Sequence, residues 1–105
     1  MRSNTTVELL LRQIKNDIGS LKKEIFKFVL YGSAAHSENP RDIDIALIVS
    51  DNTDLYELSH AISPIIALYT LRSGILITCF PIWISRYNKS GSQFIANVGA
   101  HGREF

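Results

Sequence analysis

Cysteine is nearly absent from this chain of 105 residues, in which Cys79 is the single example. One cysteine excludes an internal disulfide and suits the reducing cytoplasm. Cys79 lies in an apolar run with no histidine near it in the sequence, so a buried, inert thiol is the preferred interpretation over a nucleophile. Long apolar runs are also missing. None reaches the ~18 residues of a membrane span, and the polar start RSNTT does not look like a secretory signal. We therefore expect a cytoplasmic protein without a membrane partner.

An excess of one charge is missing as well, because 11 basic and 10 acidic side chains leave a net charge of +1. The basic residues are scattered, with one loose cluster at Lys22, Lys23 and Lys27. Binding to long nucleic acid is therefore not predicted. The length predicts a single domain over residues 1–105, just large enough to bury one core.

Two segments carry apolar residues at helical spacing. The first follows a capping box of Thr5 and Glu8, which predicts an N-cap at Thr5 and a helix that ends near Gly19. The second follows a turn at 50–54 that supplies an N-cap, and Pro64 within it predicts a kink or a break one turn earlier. The apolar positions are Val7, Leu10, Leu11, Ile14, Ile18 and Leu21 in the first segment and Leu55, Leu58, Ile62, Ile65, Ile66 and Tyr69 in the second.

Three segments rich in β-branched or aromatic residues predict strands at 25–31, 42–49 and 75–84. Pro81 in the last of them predicts an edge strand or a bulge, because proline has no N–H to donate to a neighbouring strand. A short closing helix is expected from 92 to 98. Together these elements predict an α+β fold with helices and a sheet in two layers.

The second predicted strand opens with two carboxylates, Asp42 and Asp44. Side chains in a strand alternate faces and rise about 3.3 Å per residue, so both acids point the same way, roughly 7 Å apart. Such a pair is costly on a strand otherwise ready for burial unless a cation lies between the acids. Mg²⁺ or Mn²⁺, held by carboxylates and by substrate phosphates, fits the pair. The alternative is a solvated strand end that binds nothing.

The first predicted strand runs into a turn of small residues that begins with Gly32-Ser33. Gly32 adopts positive φ at little cost, Ser33 adds a hydroxyl donor, and open backbone N–H groups suit a phosphate, although Gly-Ser alone is usually just a turn. His36 in the following loop would approach a bound triphosphate. Arg41 would pair with a phosphate or screen the acids. The alternative for both is a solvated loop residue.

A helix, an apolar strand ending in Gly32-Ser33, a short loop and Asp42-Ile43-Asp44 on the next strand together resemble the minimal nucleotidyltransferases of the DNA polymerase beta superfamily. The tail from 90 to 105 also looks like the closing helix of small members. The resemblance implies a polymerase beta-like nucleotidyltransferase core, with a small mixed sheet of three to four strands packed against helices. It also implies transfer of a nucleoside monophosphate from ATP or another nucleoside triphosphate. Asp42 and Asp44 would then hold the metal ions, and Gly32 and Ser33 the phosphates.

The chain departs from that family in one respect that bears on catalysis. Active members carry a third carboxylate on a later strand, yet between Glu57 and Glu104 this chain has no Asp or Glu. The corresponding strand presents Thr78 and Cys79 as its polar or soft groups. A threonine hydroxyl is a poor general base because it does not ionise near neutral pH.

Two function classes and an inert domain therefore remain open. Small proteins of this type resemble one half of a toxin–antitoxin pair whose partner is a HEPN ribonuclease. The chain would either adenylylate a tyrosine of that partner or neutralise it as a degenerate binding module. Apolar residues at 82–84, near a predicted edge, suit an interface with a partner or with a second copy. Tyr31 and Trp83 have the bulk to stack on a base, although such strand positions are more often core.

Overall fold

The computed structural model describes residues 4–21, 25–31, 41–88 and 102–105, which form three helices and a four-stranded sheet. Strand β1 is antiparallel to both β2 and β4, whereas β2 is parallel to β3, and the strand order is β3-β2-β1-β4. The predicted α+β fold with a small mixed sheet is confirmed. The elements are α1 (Asn4–Gly19), β1 (Ile25–Tyr31), β2 (Asp42–Val49), α2 (Leu55–Ser73), β3 (Leu76–Trp83), α3 (Ile84–Asn88) and β4 (Arg103–Glu104).

Helix α1 forms where apolar residues recur every three or four positions, and its buried stripe packs on the sheet. The helix begins at Asn4, so Thr5 lies inside the first turn and its assignment as the N-cap is wrong. Leu21 lies beyond the end of the helix and is 47% exposed, so it does not belong to the stripe. The stripe consists of Val7, Leu11, Ile14 and Ile18.

Helix α2 is capped at both ends by local hydrogen bonds. The Asp54 side chain accepts from the backbone N–H of Glu57 at 3.1 Å, as the predicted N-cap in the 50–54 turn requires. At the other end Gly74 takes φ 72° and its N–H donates to the Thr70 carbonyl at 3.0 Å. Glycine suits that position because the left-handed region is costly for other residues.

Pro64 lies inside α2 without interrupting it, so the predicted break does not occur. Leu58 and Ile62 are buried on one side of the proline and Tyr69 on the other. Burial of a large apolar side chain contributes about 1.5–3 kcal/mol, enough in sum to offset the roughly 3 kcal/mol that an internal proline costs.

The sheet has two differently covered faces. One face packs on α1 and α2 and carries the main core, which includes Ile43, Ile45, Leu47 and Val49 from β2. The opposite face carries a smaller cluster, covered by α3. The members of this cluster are Val29, Ala46, Ile48 and Ile82, with Ile84 and Tyr87 of α3 packed against them.

Strand β3 is an edge of the sheet, as Pro81 predicted. The Leu76 N–H donates to the Arg41 carbonyl at 3.2 Å, so backbone groups alternate along β3 between pointing toward β2 and pointing outward. The backbone nitrogens of Ile77 and Pro81 therefore point outward, away from β2. The Ile77 N–H donates to the Thr70 hydroxyl at 3.3 Å, and Pro81 has no N–H. Both features reduce the ability of this edge to pair with another strand.

On the opposite side of the sheet, β4 pairs with β1. The sequence pattern did not predict this strand. The Phe105 ring lies 5.9 Å from that of Phe28, and Arg103 forms an ion pair with Glu8 of α1 at 2.8 Å. The predicted closing helix at 92–98 lies outside the described residues. Within the ranges that the structure describes, no helix is long and apolar enough to cross a membrane.

The N-cap of α2 offers a test of how this helix is held. Asp54→Ala should lower the free energy of unfolding by about 1 kcal/mol, because the N–H of Glu57 loses its acceptor. Asp54→Asn should retain most of the stability, since an amide oxygen also accepts this bond. Chemical denaturation of the three proteins measures the difference, and equal stability of the alanine and aspartate forms would contradict the capping role.

Candidate functional site

Asp42 and Asp44 lie at the start of β2 on the same face of the sheet, the face opposite α1 and α2. Alternation along the strand places them in line with Ala46 and Ile48 of the smaller cluster. Asp42 is exposed and Asp44 is half-buried. The predicted same-face pair is therefore present, at the one end of β2 that the core leaves open.

Thr78 of β3 contacts the second of these acids directly. Asp44 and Thr78 are register partners in the parallel β2–β3 pair, and the Thr78 hydroxyl donates a hydrogen bond to Asp44 Oδ1. In the sequence Thr78 stood out as a polar group on an apolar strand. The β2–β3 register is what brings it against the acid pair.

Tyr31, the last residue of β1, is the register partner of Asp44 on the other side. It is half-buried, and its ring meets that of Phe80 edge-to-face at 5.1 Å and 82°. Burial, and then the nearby charge of Asp44, raise the pKa of Tyr31 from 10.0 to about 12. The phenol therefore stays protonated at neutral pH and does not serve as a general base. Stacking of a base on Tyr31 stays a prediction.

Of the four residues proposed to hold phosphates, the structure describes Arg41 alone. Arg41 is exposed, and its carbonyl joins β2 to the start of β3. Gly32, Ser33 and His36 lie outside the described residues. Gly32 follows Tyr31 directly in the sequence, and Tyr31 is the register partner of Asp44.

Trp83 lies far from the acid pair. It is the register partner of Val49, at the other end of β2, roughly 23 Å from Asp42 for a strand of this length. Its indole N–H donates to the Thr53 carbonyl at 2.9 Å and so closes the turn before α2. The interpretation of Trp83 as a base-stacking residue of this site is therefore wrong.

A third carboxylate does not adjoin the acid pair among the described residues. Glu57 is in the first turn of α2, beyond the opposite end of β2. Glu104 is the register partner of Val29, so it shares the face of Asp44 but lies two strands away, roughly 12 Å between Cα atoms. In the described part of the chain, no three His, Cys, Asp or Glu side chains are grouped to hold a metal ion.

The donor set fits a hard divalent cation that shares its shell with a phosphate ligand. Asp42 and Asp44 offer carboxylate oxygens on one open face, and the hydrogen bond from Thr78 orients one of them. Two carboxylates are the usual protein contribution to a Mg²⁺ site that also binds a nucleotide, and Mn²⁺ takes the same ligands. A cage made of protein ligands alone would need more donors than this pair supplies.

Comparison with known proteins shows the fold. The chain matches no protein-family profile and no curated protein sequence. Among solved structures it resembles a chain of the crystal structure of the toxin-antitoxin with AMP-PNP, with a TM-score of 0.53. The match covers 92% of this chain and 70% of that one, at 17% sequence identity. At this identity the likeness establishes a shared fold.

The reactivity of Cys79 tests whether this residue lies outside the site. It packs against the main core on the face opposite the acids, and burial raises the pKa of its thiol from 9.0 to about 12. The neutral thiol therefore adds stability below pH 9 that is lost as the pH rises through about 12. At pH 8 the native thiol should react with a disulfide reagent on the order of 100-fold more slowly than in guanidinium-unfolded protein. Equal rates would contradict its burial.

Proposed function

We propose that this chain binds a nucleoside triphosphate together with Mg²⁺ and transfers its nucleoside monophosphate to an acceptor hydroxyl. ATP is the proposed nucleotide, and a toxin–antitoxin pair is the proposed setting. The shared fold with a chain of a toxin–antitoxin complex that contains AMP-PNP, an ATP analogue with an imide at the β–γ bridge, supports both parts.

The observation that carries this proposal is the position of Asp42 and Asp44 on one open face beside the end of β1. Gly32 and Ser33 follow β1 directly in the sequence. A cation at the acids and a triphosphate held by these two residues would therefore be close neighbours. Gly32, Ser33, His36 and Arg41 are the proposed phosphate contacts.

In the proposed reaction the protein supplies mainly positioning and charge. A bound Mg²⁺ would neutralise phosphate charge as the α-phosphorus is attacked and pyrophosphate leaves. Asp42 and Asp44 supply the negative charge that holds the cation in place. The half-buried setting of Asp44, beside Tyr31 and Phe80, strengthens its attraction for a cation relative to bulk water.

A hydroxyl on a protein is the proposed class of acceptor. A tyrosine on a HEPN-type partner is the proposed acceptor, and such a partner could also supply the catalytic base. Tyr31 does not fill that role, because its phenol remains protonated at neutral pH.

A second candidate function is a catalytically degenerate antitoxin that neutralises its partner by binding. The observation that favours it is Thr78, a hydroxyl at the β3 position directly beside Asp44, where a third acid would complete the set. A pure binding module loses nothing by this replacement, whereas a transferase must obtain the base elsewhere.

Calorimetric titration with AMP-PNP tests the nucleotide site. The wild type should bind AMP-PNP only when Mg²⁺ is present, and Asp42→Asn and Asp44→Asn should each weaken binding at least 10-fold, because each removes a charged ligand. Glu104→Gln is the matched control, since it removes a carboxylate from the same face two strands away. It should bind within twofold of the wild type.

The same titration bears on both candidates. Metal-dependent binding that the Asp42 and Asp44 variants lose, and the Glu104 variant keeps, supports the nucleotide site that the transferase requires. If the wild type does not bind AMP-PNP with Mg²⁺, the transferase proposal fails and the degenerate antitoxin is favoured. Equal binding by all four proteins would contradict the assignment of the site to the acid pair.

A further inference from the structure

Asp42 and Asp44 differ in what the neighbouring strand offers them. The register partner of Asp42 on β3 is Leu76, whose exposed side chain has no hydrogen-bonding group. The register partner of Asp44 is Thr78, whose hydroxyl donates to Oδ1. The two acids share a face but differ in how firmly their carboxylates are oriented.

The hydrogen bond restricts the Asp44 carboxylate in a way that bears on cation binding. With a donor held at Oδ1, rotation of the carboxylate about its last bond is limited and Oδ2 points away from β3. A carboxylate oriented before the cation arrives loses less conformational entropy on binding. Hydrogen bonds to ligating carboxylates typically change metal affinity by about 10-fold to 100-fold.

We propose that Thr78 is a positioning residue for the divalent cation, acting through the Asp44 carboxylate. This inference rests on the cation site of the proposed function and adds to it a residue outside the acid pair. The hydroxyl, and not the methyl group, carries the role. Serine at this position therefore preserves the site, and valine, which has nearly the same shape without the hydroxyl, impairs it.

Loosening of the edge strand is the alternative explanation that a test must separate. Thr70 provides the matched control, because its hydroxyl accepts from the Ile77 N–H and so fastens β3 to α2 without touching Asp44. Thr70→Val removes a hydroxyl that supports the same strand at Ile77, the residue before Thr78. A purely structural effect on β3 would appear in both valine variants.

The experiment measures binding of the Mn²⁺–AMP-PNP complex, by water-proton relaxation, in the full chain and its variants. Thr78→Val should raise the Kd for Mn²⁺–AMP-PNP about 10-fold to 100-fold, and Thr78→Ser should stay within threefold of the wild type. Thr70→Val should stay within twofold. Asp44→Asn is measured as well, and thermal unfolding verifies that all five proteins are folded at the assay temperature.

The outcomes distinguish this inference from the proposed function. If Thr78→Val binds Mn²⁺–AMP-PNP within twofold of the wild type while Asp44→Asn does not bind it, the role of Thr78 is overturned. The cation site itself then remains supported. An equal loss in Thr78→Val and Thr70→Val also overturns it, since the effect would then be structural. A wild type that binds no Mn²⁺–AMP-PNP overturns both the cation site and the role of Thr78.

Discussion

The burial of β2 on both faces is the constraint on which the rest of this structure depends. From Ile43 to Val49 the side chains that face α1 and α2 are fully buried, and Ala46 and Ile48 on the other face are buried as well. A strand of this kind tolerates charge only where it enters or leaves the sheet, because an unpaired carboxylate in the interior costs several kcal/mol. Its acids therefore lie at its first residues.

The unequal covering of the two sheet faces makes that strand end usable. Two long helices pack on one face, whereas among the described residues the other face is covered by the five residues of α3 near the far end of β2. The beginning of β2 on that face is left to Asp42, Asp44, Thr78 and the Tyr31–Phe80 ring pair. Charge, a hydroxyl and aromatic surface thus meet at one place, which is the chemistry that a nucleotide with a cation would contact.

The electrostatics of this place explain why a transferase and an inert binder look so similar here. Binding a cation needs negative charge and orientation, which Asp42, Asp44 and Thr78 would supply, and a triphosphate would then bind through that cation. Transfer needs in addition a group that takes the acceptor proton. Tyr31 is too weakly acidic for that role at neutral pH, and Thr78 does not ionise. Under the proposed function, that group would have to come from a partner.

The sequence by itself determined the acid pair and most of the elements, although not α3 or β4, because these features depend on local periodicity. Burial on one side of a helix or strand imposes a repeat of 3.6 or 2 residues, and β1, β2 and the bodies of α1 and α2 follow from it. The same alternation placed Asp42 and Asp44 on one face. The N-cap predicted within the 50–54 turn, which is Asp54, and the edge strand or bulge predicted from Pro81 also rest on the chemistry of single residues.

Only the tertiary structure decided the features that depend on contacts distant in sequence. Pro64 predicted a kink or a break in α2, but packing on both sides of the proline keeps the helix unbroken. The last residues form β4 because β1 offers them an edge, although two residues carry no periodic signal. Thr78 meets Asp44 across 34 positions of sequence, and a register shifted by one residue would turn its side chain to the other face. The register of two strands is a property of the assembled sheet, and local sequence does not encode it.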